Sequence, residues 1–423
     1  MSEDVALLLR RAGFGPTSAE LGAAVKAGYA DTVLALTAPP GPDIGATTAS
    51  IPHLGSDPYA VTPNPTPAQR AAADRVRQEQ ADKLTRWWLD RMTVANHQAV
   101  EKLIFFWHGH WATSIRKVKS PQLMLAQHRT LRSAQNFADM ARRMVVDPAL
   151  VHWLDGQLNT REAPNENLAR ELCELFLLGI GHYTEADVKA AGRALTGWRL
   201  DLRAERMVLD PAAHDSGSKT ILGAQADFTA RGLVDLLLRQ PVCAEFIAAR
   251  LWFRYASSTE PIPPATRDQM VTAFPAPMAM LRALFTDDAF RATAGTMVKQ
   301  PIEWMVGAMR QLKLRPANIP GEVLLQLCDG LGGLGQRPFA PPSVGGWPAG
   351  ATWLVSSSAR LKLSLAGKLA SQLEPGHLTP EDVASMLCVD RWTNRTYAVL
   401  REVRSNSRML LTLGLVSPEY AVT

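Results

Sequence analysis

An uninterrupted segment of strong helix formers, Ala68–Met92, constrains the fold of this chain more than any other feature. The segment contains neither proline nor glycine, and its residue types favour a helix throughout. A second, apolar helix is predicted over His97–Trp111. Two consecutive segments of this kind favour a helical fold.

Helical periodicity recurs along most of the remaining chain. The further predicted helices are Pro121–Ser133, Asn136–Val145, Asn165–Leu178, Glu185–Thr196, Ala226–Leu238, Ala244–Tyr255, Pro277–Phe285, Pro301–Leu312, Gly321–Gly330, Ala359–Ser371 and Pro380–Cys388. Residues 198–222 differ, because weak alternation and turn residues there predict a short hairpin. No strand–helix alternation supports a Rossmann or TIM fold. The prediction is a mainly α protein: a large single helical domain over residues 1–423 with a small β-hairpin insertion.

The composition changes between residues 38 and 67, which are rich in Pro, Gly, Ser and Thr. Such a segment is typical of a linker or a long surface loop. The residues that precede it are too few to fold alone, so no domain boundary is predicted there.

The overall composition excludes several classes of protein. The net charge is only +5, and no stretch concentrates basic residues with aromatic ones, which argues against nucleic-acid binding. The four cysteines have no CxxC spacing, so buried free thiols are expected. The first residues lack the pattern of a signal peptide, and no apolar run approaches the roughly 20 residues that span a bilayer. We therefore expect a soluble cytoplasmic protein without a membrane span.

The clearest polar cluster lies in the predicted helix Asn165–Leu178. Glu171 and Glu174 are three residues apart and share a helix face, and Arg170 is placed to pair with Glu166 or Glu174. The carboxylates interrupt an apolar stretch, where a charge is costly unless it is paired or bound to a metal. The alternative is a solvated face with ordinary salt bridges.

Two histidines, His108 and His110, end the apolar helix in the sequence WHGHW. Residues two apart on a helix point in nearly opposite directions, so both imidazoles reach one site only if the helix breaks near Gly109. The alternative is that both are histidines at the edge of the core, hydrogen-bonded to the backbone and held by Trp107 and Trp111. We expect at least one of them to face the helix that carries the glutamates.

Two further segments carry polar or irregular sequence. His214 and Asp215 lie on a predicted turn, where a solvated hairpin is the simpler interpretation. Arg337–Leu354 is dense in Pro and Gly and predicts an ordered loop anchored by Trp347 and Trp353, a kind of loop that is often functional. No nucleophile elbow and no zincin motif is present.

These segments, in this order, resemble the bacterial domain of unknown function 1800 family. The most specific block is PNENLAREL…ELF.LG.GHYTE.DV…ALTGW, within residues 164–198. The chain keeps the histidines, glutamates, Arg170, His214 and Asp215 of the family pattern but has Gly109 and Trp111 where the family more often shows Asn and Phe. The resemblance implies members that are often exported and a companion from the domain of unknown function 1501 family.

Two hypotheses about function follow. In the first, the chain is a metal-dependent enzyme acting on a small-molecule substrate, with redox chemistry favoured over hydrolysis. Iron, manganese or zinc suits mixed imidazole and carboxylate ligands. The predicted ligands are His108, His110, Glu171 and Glu174. Arg170 would balance charge, and His214 with Asp215 would relay protons. In the second, the chain is a non-catalytic binding or assembly partner whose polar clusters form a buried network.

Overall fold

The structure, a computed structural model, describes residues 2–62 and 64–423. It is 61% helical and 4% strand, which confirms the predicted mainly α fold. The first group of helices is α1 (Ser2–Ala12), α2 (Ser18–Ala27), α3 (Tyr29–Thr37), α4 (Ile44–Thr47), α5 (Pro58–Val61), α6 (Pro67–Val94), α7 (Gln98–His110), α8 (Ile115–Val118), α9 (Pro121–Ser133), α10 (Phe137–Met144), α11 (Pro148–Trp153), α12 (Asn167–Glu171) and α13 (Glu185–Ala194).

The second group of helices follows the strands in the chain. It comprises α14 (Ala230–Leu238), α15 (Pro241–Tyr255), α16 (Pro264–Thr272), α17 (Pro277–Thr286), α18 (Asp288–Arg291), α19 (Pro301–Gln311), α20 (Gly321–Gly333), α21 (Ser356–Ala370), α22 (Pro380–Met386), α23 (Asn394–Glu402), α24 (Ser407–Leu415) and α25 (Pro418–Ala421). Short 3-10 helices occupy Gly156–Leu158, Pro316–Asn318 and Gly350–Trp353. No helix of the described residues is both long and apolar enough to cross a membrane.

Two small antiparallel hairpins interrupt the helices. Strand β1 (Trp198–Asp201) pairs with β2 (Arg206–Leu209), and β3 (Lys219–Ile221) pairs with β4 (Ala224–Ala226). The β insertion predicted from weak alternation is therefore present, but it contains two hairpins and extends to residue 226.

The segment rich in Pro and Gly before α6 is packed against that helix. Trp87 of α6 donates its indole N–H to the Ala49 carbonyl at 3.0 Å, and Arg77 pairs with the buried Asp57 at 2.7 Å. Proline and glycine keep the segment irregular, while α6 supplies its hydrogen-bond partners. It is thus a packed surface loop that includes α4 and α5.

A continuous cluster of buried apolar side chains runs from Leu7 in α1 to Tyr420 in α25. Arg11 of α1 joins the two ends of the chain, because it donates to the carbonyl of Ala256 at 2.7 Å and to that of Thr423 at 2.5 Å. All four cysteines are buried and free. Residues near both termini therefore belong to one core.

Residues Leu172–Leu177 form one turn of π-helix directly after α12. The amides of Leu178 and Gly179 both donate to the Cys173 carbonyl, which closes the wide turn. The predicted helix over residues 165–178 is therefore present but changes its pitch halfway. A π-turn is rare and is frequently found next to functional sites.

Candidate functional site

The two histidines of the WHGHW sequence lie in different surroundings, because α7 continues through Gly109 to His110. The His108 ring packs against Trp88, at a centroid distance of 5.2 Å, and against Trp347 at 5.5 Å. The His110 ring packs against Trp107, at 5.5 Å. The helix does not break at the glycine, so the two imidazoles do not share one site.

Both imidazoles are neutral. Burial lowers the pKa of His108 and of His110 to about 3, and the positive charge of Arg250 adds to this effect at His110. His110 Nε2 lies 3.0 Å from the Phe176 carbonyl oxygen. A carbonyl only accepts, so Nε2 carries the proton and Nδ1 is left as an acceptor. That Nδ1, like His108 Nε2, is buried and has no hydrogen-bond partner among the described residues.

His110 thus faces the glutamate-bearing segment, as expected of at least one histidine, but it contacts the backbone of the π-turn. Glu171 is half-buried, and its pKa is raised by burial and by the charge of Glu174. Glu174 accepts a hydrogen bond from the Tyr183 hydroxyl at 2.9 Å. Arg170 pairs with Glu185 at 2.6 Å and with Glu166 at 3.4 Å, so of its two predicted partners it contacts Glu166 and not Glu174.

The four predicted metal ligands do not converge. Residues 2–62 and 64–423 contain no group of three or more His, Cys, Asp or Glu side chains placed to hold a metal ion. The neutral imidazoles are chemically competent ligands, but no carboxylate cluster accompanies them. The bound metal therefore stays a prediction of the sequence.

His214 and Asp215 secure the turn before β3. Asp215 pairs with Arg193 of α13 at 2.6 Å, and that hydrogen bond holds the pKa of the carboxyl at about 2. His214 Nδ1 lies 3.0 Å from the Thr196 carbonyl oxygen. These contacts fix the turn to α13, and neither residue lines the cavities next to His110 and Glu174. The proposed proton relay remains without support.

A small cavity, here called the arginine pocket, lies where α7, α15 and the loop 343–349 meet. Its volume is about 40 Å³, which is room for roughly three water molecules. Its lining residues are Phe105, Phe106, Gly109 and His110 from α7, Arg250, Phe253 and Arg254 from α15, Gln300, and Gly345, Trp347 and Ala349 from the loop.

Glycines allow the loop to approach α7 closely. A Cβ on Gly346 would lie 2.2 Å from the Gly109 carbonyl oxygen, and the φ of Gly346 is +81°. Trp347 then stacks on Phe105, with ring centroids 5.0 Å apart and planes at 10°, while Trp353 is buried. The predicted ordered loop with tryptophan anchors is confirmed, and it forms one wall of the arginine pocket.

Positive charge exceeds negative charge around the pocket. Glu303 is 3.0 Å from Lys102 Nζ and 3.4 Å from Arg254 Nη2. Burial by itself raises the pKa of Glu303, but the two cations outweigh it and lower that pKa to about 2. Arg250 has no ion pair and no hydrogen bond among the described residues, and its Nε is enclosed. Burial lowers the pKa of both arginines.

The sequence contains one indication of this pocket, a pair of arginines within an apolar segment, which was not among the predicted site residues. Arg250 and Arg254 are four residues apart within the apolar run AARLWFRY, so they share a face of a helix that packs into the core. Their shared partner, Glu303, is about fifty residues further along the chain. Only the three-dimensional packing reveals that one of the two arginines lacks a counterion.

Comparisons with known proteins identify a family without an assigned activity. No curated protein matches the chain, and no solved structure matches it. The family model described as "Protein of unknown function (DUF1800)" matches residues 7–422. With nearly its whole length matched, the chain belongs to the DUF1800 family.

Proposed function

We propose that the protein binds a ligand through a carboxylate, or an anionic group of similar size, in the arginine pocket. The observation that carries this proposal is Arg250, a guanidinium that lines the pocket beside Arg254 and has no anionic partner among the described residues. This is a form of the binding-protein hypothesis, and it leaves open whether chemistry follows binding.

Electrostatics supports an anion at this position. Lys102 and Arg254 already share the carboxylate of Glu303, and Arg250, which lines the pocket beside Arg254, has no carboxylate of its own among the described residues. An enclosed charge without a partner is costly, and a second carboxylate would offset that cost. A guanidinium also presents donors in a planar fork that matches a carboxylate.

The size and walls of the pocket limit what enters. A volume of about 40 Å³ accommodates a head group but not a drug-sized molecule. Phe105, Phe106 and Trp347 form apolar walls, which strengthen an ionic contact by excluding water. His110 lines the pocket as a neutral ring, so it adds no charge that would compete with the arginines.

The metal-dependent enzyme remains a second candidate because Glu171 and Glu174 repel each other and neither forms an ion pair within the described residues. Metal analysis of protein purified without an affinity tag tests it. A near-stoichiometric iron, manganese or zinc content that is lost in Glu171→Ala would support it, and metal-free protein would not. The cytoplasmic location and a partner from the domain of unknown function 1501 family stay predictions.

The anion site is tested by calorimetric titration of acetate and of sulfate at low ionic strength, in a buffer without carboxylates. We expect a saturable site for acetate with a Kd on the order of 1 mM or tighter. Arg250→Gln should weaken binding at least about tenfold. Arg199→Gln removes an exposed arginine that pairs with Asp210 on the hairpin, and it should leave the affinity unchanged. Absence of saturable binding for both anions would refute the proposal.

A further inference from the structure

A second cavity, here called the outer groove, lies between the π-turn and α15. Its volume is about 460 Å³. The lining residues are Glu174, Leu175, Leu178, Gly179, Ile180, His182, Val242, Glu245, Phe246, Ala249, Arg250 and Arg267. Its floor is mostly apolar, and Ile180 at its edge is 77% exposed.

The outer groove and the arginine pocket follow one another along α15. Residues 242, 245, 246, 249 and 250 line the groove, and residues 250, 253 and 254 line the pocket. Arg250 therefore stands at the junction of the two cavities. From residue 242 to residue 254 the helix rises roughly 18 Å, which is long enough for an extended ligand.

The arginine pocket and the outer groove, which follow one another along α15, carry charged side chains of opposite sign. Arg250 and Arg254 lie at the pocket end, and Glu174 and Glu245 lie in the groove. Neither of these carboxylates forms an ion pair in the described part of the chain; Glu174 accepts only from the Tyr183 hydroxyl. Two arginines also line the groove: Arg250 at the junction, and Arg267, which bonds to Asp268 at 2.9 Å and also feels the charge of Glu245.

We infer that the ligand is dipolar: its carboxylate enters the arginine pocket, its body lies extended on the apolar floor of the outer groove, and an ammonium group reaches Glu174 and Glu245. This inference rests on the proposed function. The distance between the two charges of the ligand follows from α15. Glu245 and the midpoint of Arg250 and Arg254 are about seven residues apart, which is roughly 10 Å along the helix axis. An extended chain advances about 3.3 Å per residue, so a tripeptide spans the same distance between its termini.

Short peptides belong to this ligand class, and two features favour them over a simple amino acid. The termini of an extended tripeptide are about 10 Å apart, which matches the span between Glu245 and the two arginines along α15. Apolar side chains of the peptide suit the floor formed by Leu175, Val242 and Phe246. An amino acid, whose charges are only a few ångströms apart, does not reach both ends.

The experiment compares Ala-Ala-Ala with its N-acetyl and C-terminal amide forms by calorimetry on the full chain. We expect the free tripeptide to bind at least about tenfold more tightly than the N-acetyl form, and the amide not to bind. Glu245→Gln should remove most of the advantage of the free amino group, so that the free and the N-acetyl tripeptides bind with similar affinity. Arg199→Gln serves as the control for a general change in net charge.

The outcomes separate this inference from the proposed function. Equal affinity for the free and the N-acetyl tripeptide would refute the dipolar ligand, while acetate binding that depends on Arg250 would still stand. Equal affinity for the acid and the amide would also refute the dipolar ligand, and the proposed function would fall with it only if acetate showed no saturable binding that depends on Arg250. A tenfold preference for the free amino group that persists in Glu245→Gln would also contradict the inference.

Discussion

Replacing Arg250 by methionine should stabilise the protein while it abolishes anion binding. Arg250 has no ion pair or hydrogen bond among the described residues, and its Nε is enclosed by protein. Burial lowers the pKa of its guanidinium, which means that the folded state disfavours its charge. Methionine has a similar reach and adapts to irregular apolar surroundings, so the substitution removes the charge without opening a large cavity.

The partial exposure of the Arg250 side chain limits the expected gain in the free energy of unfolding. Replacing buried charges with apolar side chains stabilises proteins by about 1–4 kcal/mol, and the partial exposure places Arg250 at about 1–2 kcal/mol. The entropy of unfolding is about 2.1 cal/mol/K per residue. For 423 residues this gives about 0.9 kcal/mol/K, so Tm should rise by about 1–2 °C.

Arg254→Met is the matched control, because Arg254 lies one turn away but pairs with Glu303 at 3.4 Å. Its removal leaves the buried carboxylate with Lys102 alone and should destabilise the protein by about 1–3 kcal/mol. Scanning calorimetry of both variants, with and without saturating acetate, shows whether each substitution raises or lowers Tm. A fall in Tm for Arg250→Met as large as that for Arg254→Met would refute the claim that Arg250 is unpaired in the protein and pairs with a bound anion.

Three other predictions concern the supports of the pocket. Gly346→Ala should destabilise the protein by more than about 3 kcal/mol and weaken acetate binding, because the added Cβ would meet a carbonyl oxygen of α7. The control is Gly223→Ala, which has a similar positive φ but open space around it. Denaturant unfolding should show a loss of only about 1 kcal/mol for that variant. Glu303→Gln should cost about 3–5 kcal/mol. Its folded pKa is lowered to about 2, so wild-type stabilisation from this carboxylate is present above pH about 4.5 and is lost as pH falls toward 2, a dependence that the variant should lack in acid titrations. In the folded protein the pKa values of His108 and His110 are about 3. The stabilisation from the neutral rings should therefore be full above pH 6.5, and the free energy of unfolding should fall by about 2 kcal/mol per imidazole at pH 5. A free energy of unfolding that does not change between pH 7 and pH 5 would contradict the burial of both as neutral rings.

The helical fold was predictable from local patterns, because long segments without proline or glycine, such as Ala68–Met92, form helices almost wherever they are placed. The bounds of α6, Pro67–Val94, differ from that prediction by only a few residues. The π-turn at Leu172–Leu177 was not predictable in the same way. Its apolar residues fit an α-helix equally well, and tertiary contacts such as the bond from His110 to Phe176 accompany the wider turn.

The candidate site was predictable only in part. The aromatic flanks and the apolar run predicted that at least one of His108 and His110 faces the glutamate helix, and the structure shows that His110 does. The density in Pro and Gly predicted the ordered loop that carries Trp347. The metal prediction drew on His108, His110, Glu171 and Glu174, and the described residues bring no three of these side chains together around a metal position. The loop lies close to α7 because Gly346 has no side chain: a Cβ there would be 2.2 Å from the Gly109 carbonyl oxygen. These two segments are more than 200 residues apart, so no local pattern encodes their close approach.

Arg250 was missed because the absence of a counterion is a property of packing. In the sequence, Arg250 is one of many arginines, and Asp or Glu residues are never far away along the chain. What distinguishes it is that Glu303 is already shared by Lys102 and Arg254. The proposed anion site therefore depends on one charge that the fold leaves unpaired.

The most direct test of that claim is a crystal structure of the protein with 4-bromobenzoate, using the anomalous signal of bromine. We predict a carboxylate within hydrogen-bond distance of the Arg250 guanidinium, with the bromine directed out of the arginine pocket along α15. A pocket that contains only water at saturating 4-bromobenzoate, or an Arg250 side chain that turns to an acceptor of the protein itself, would contradict the account.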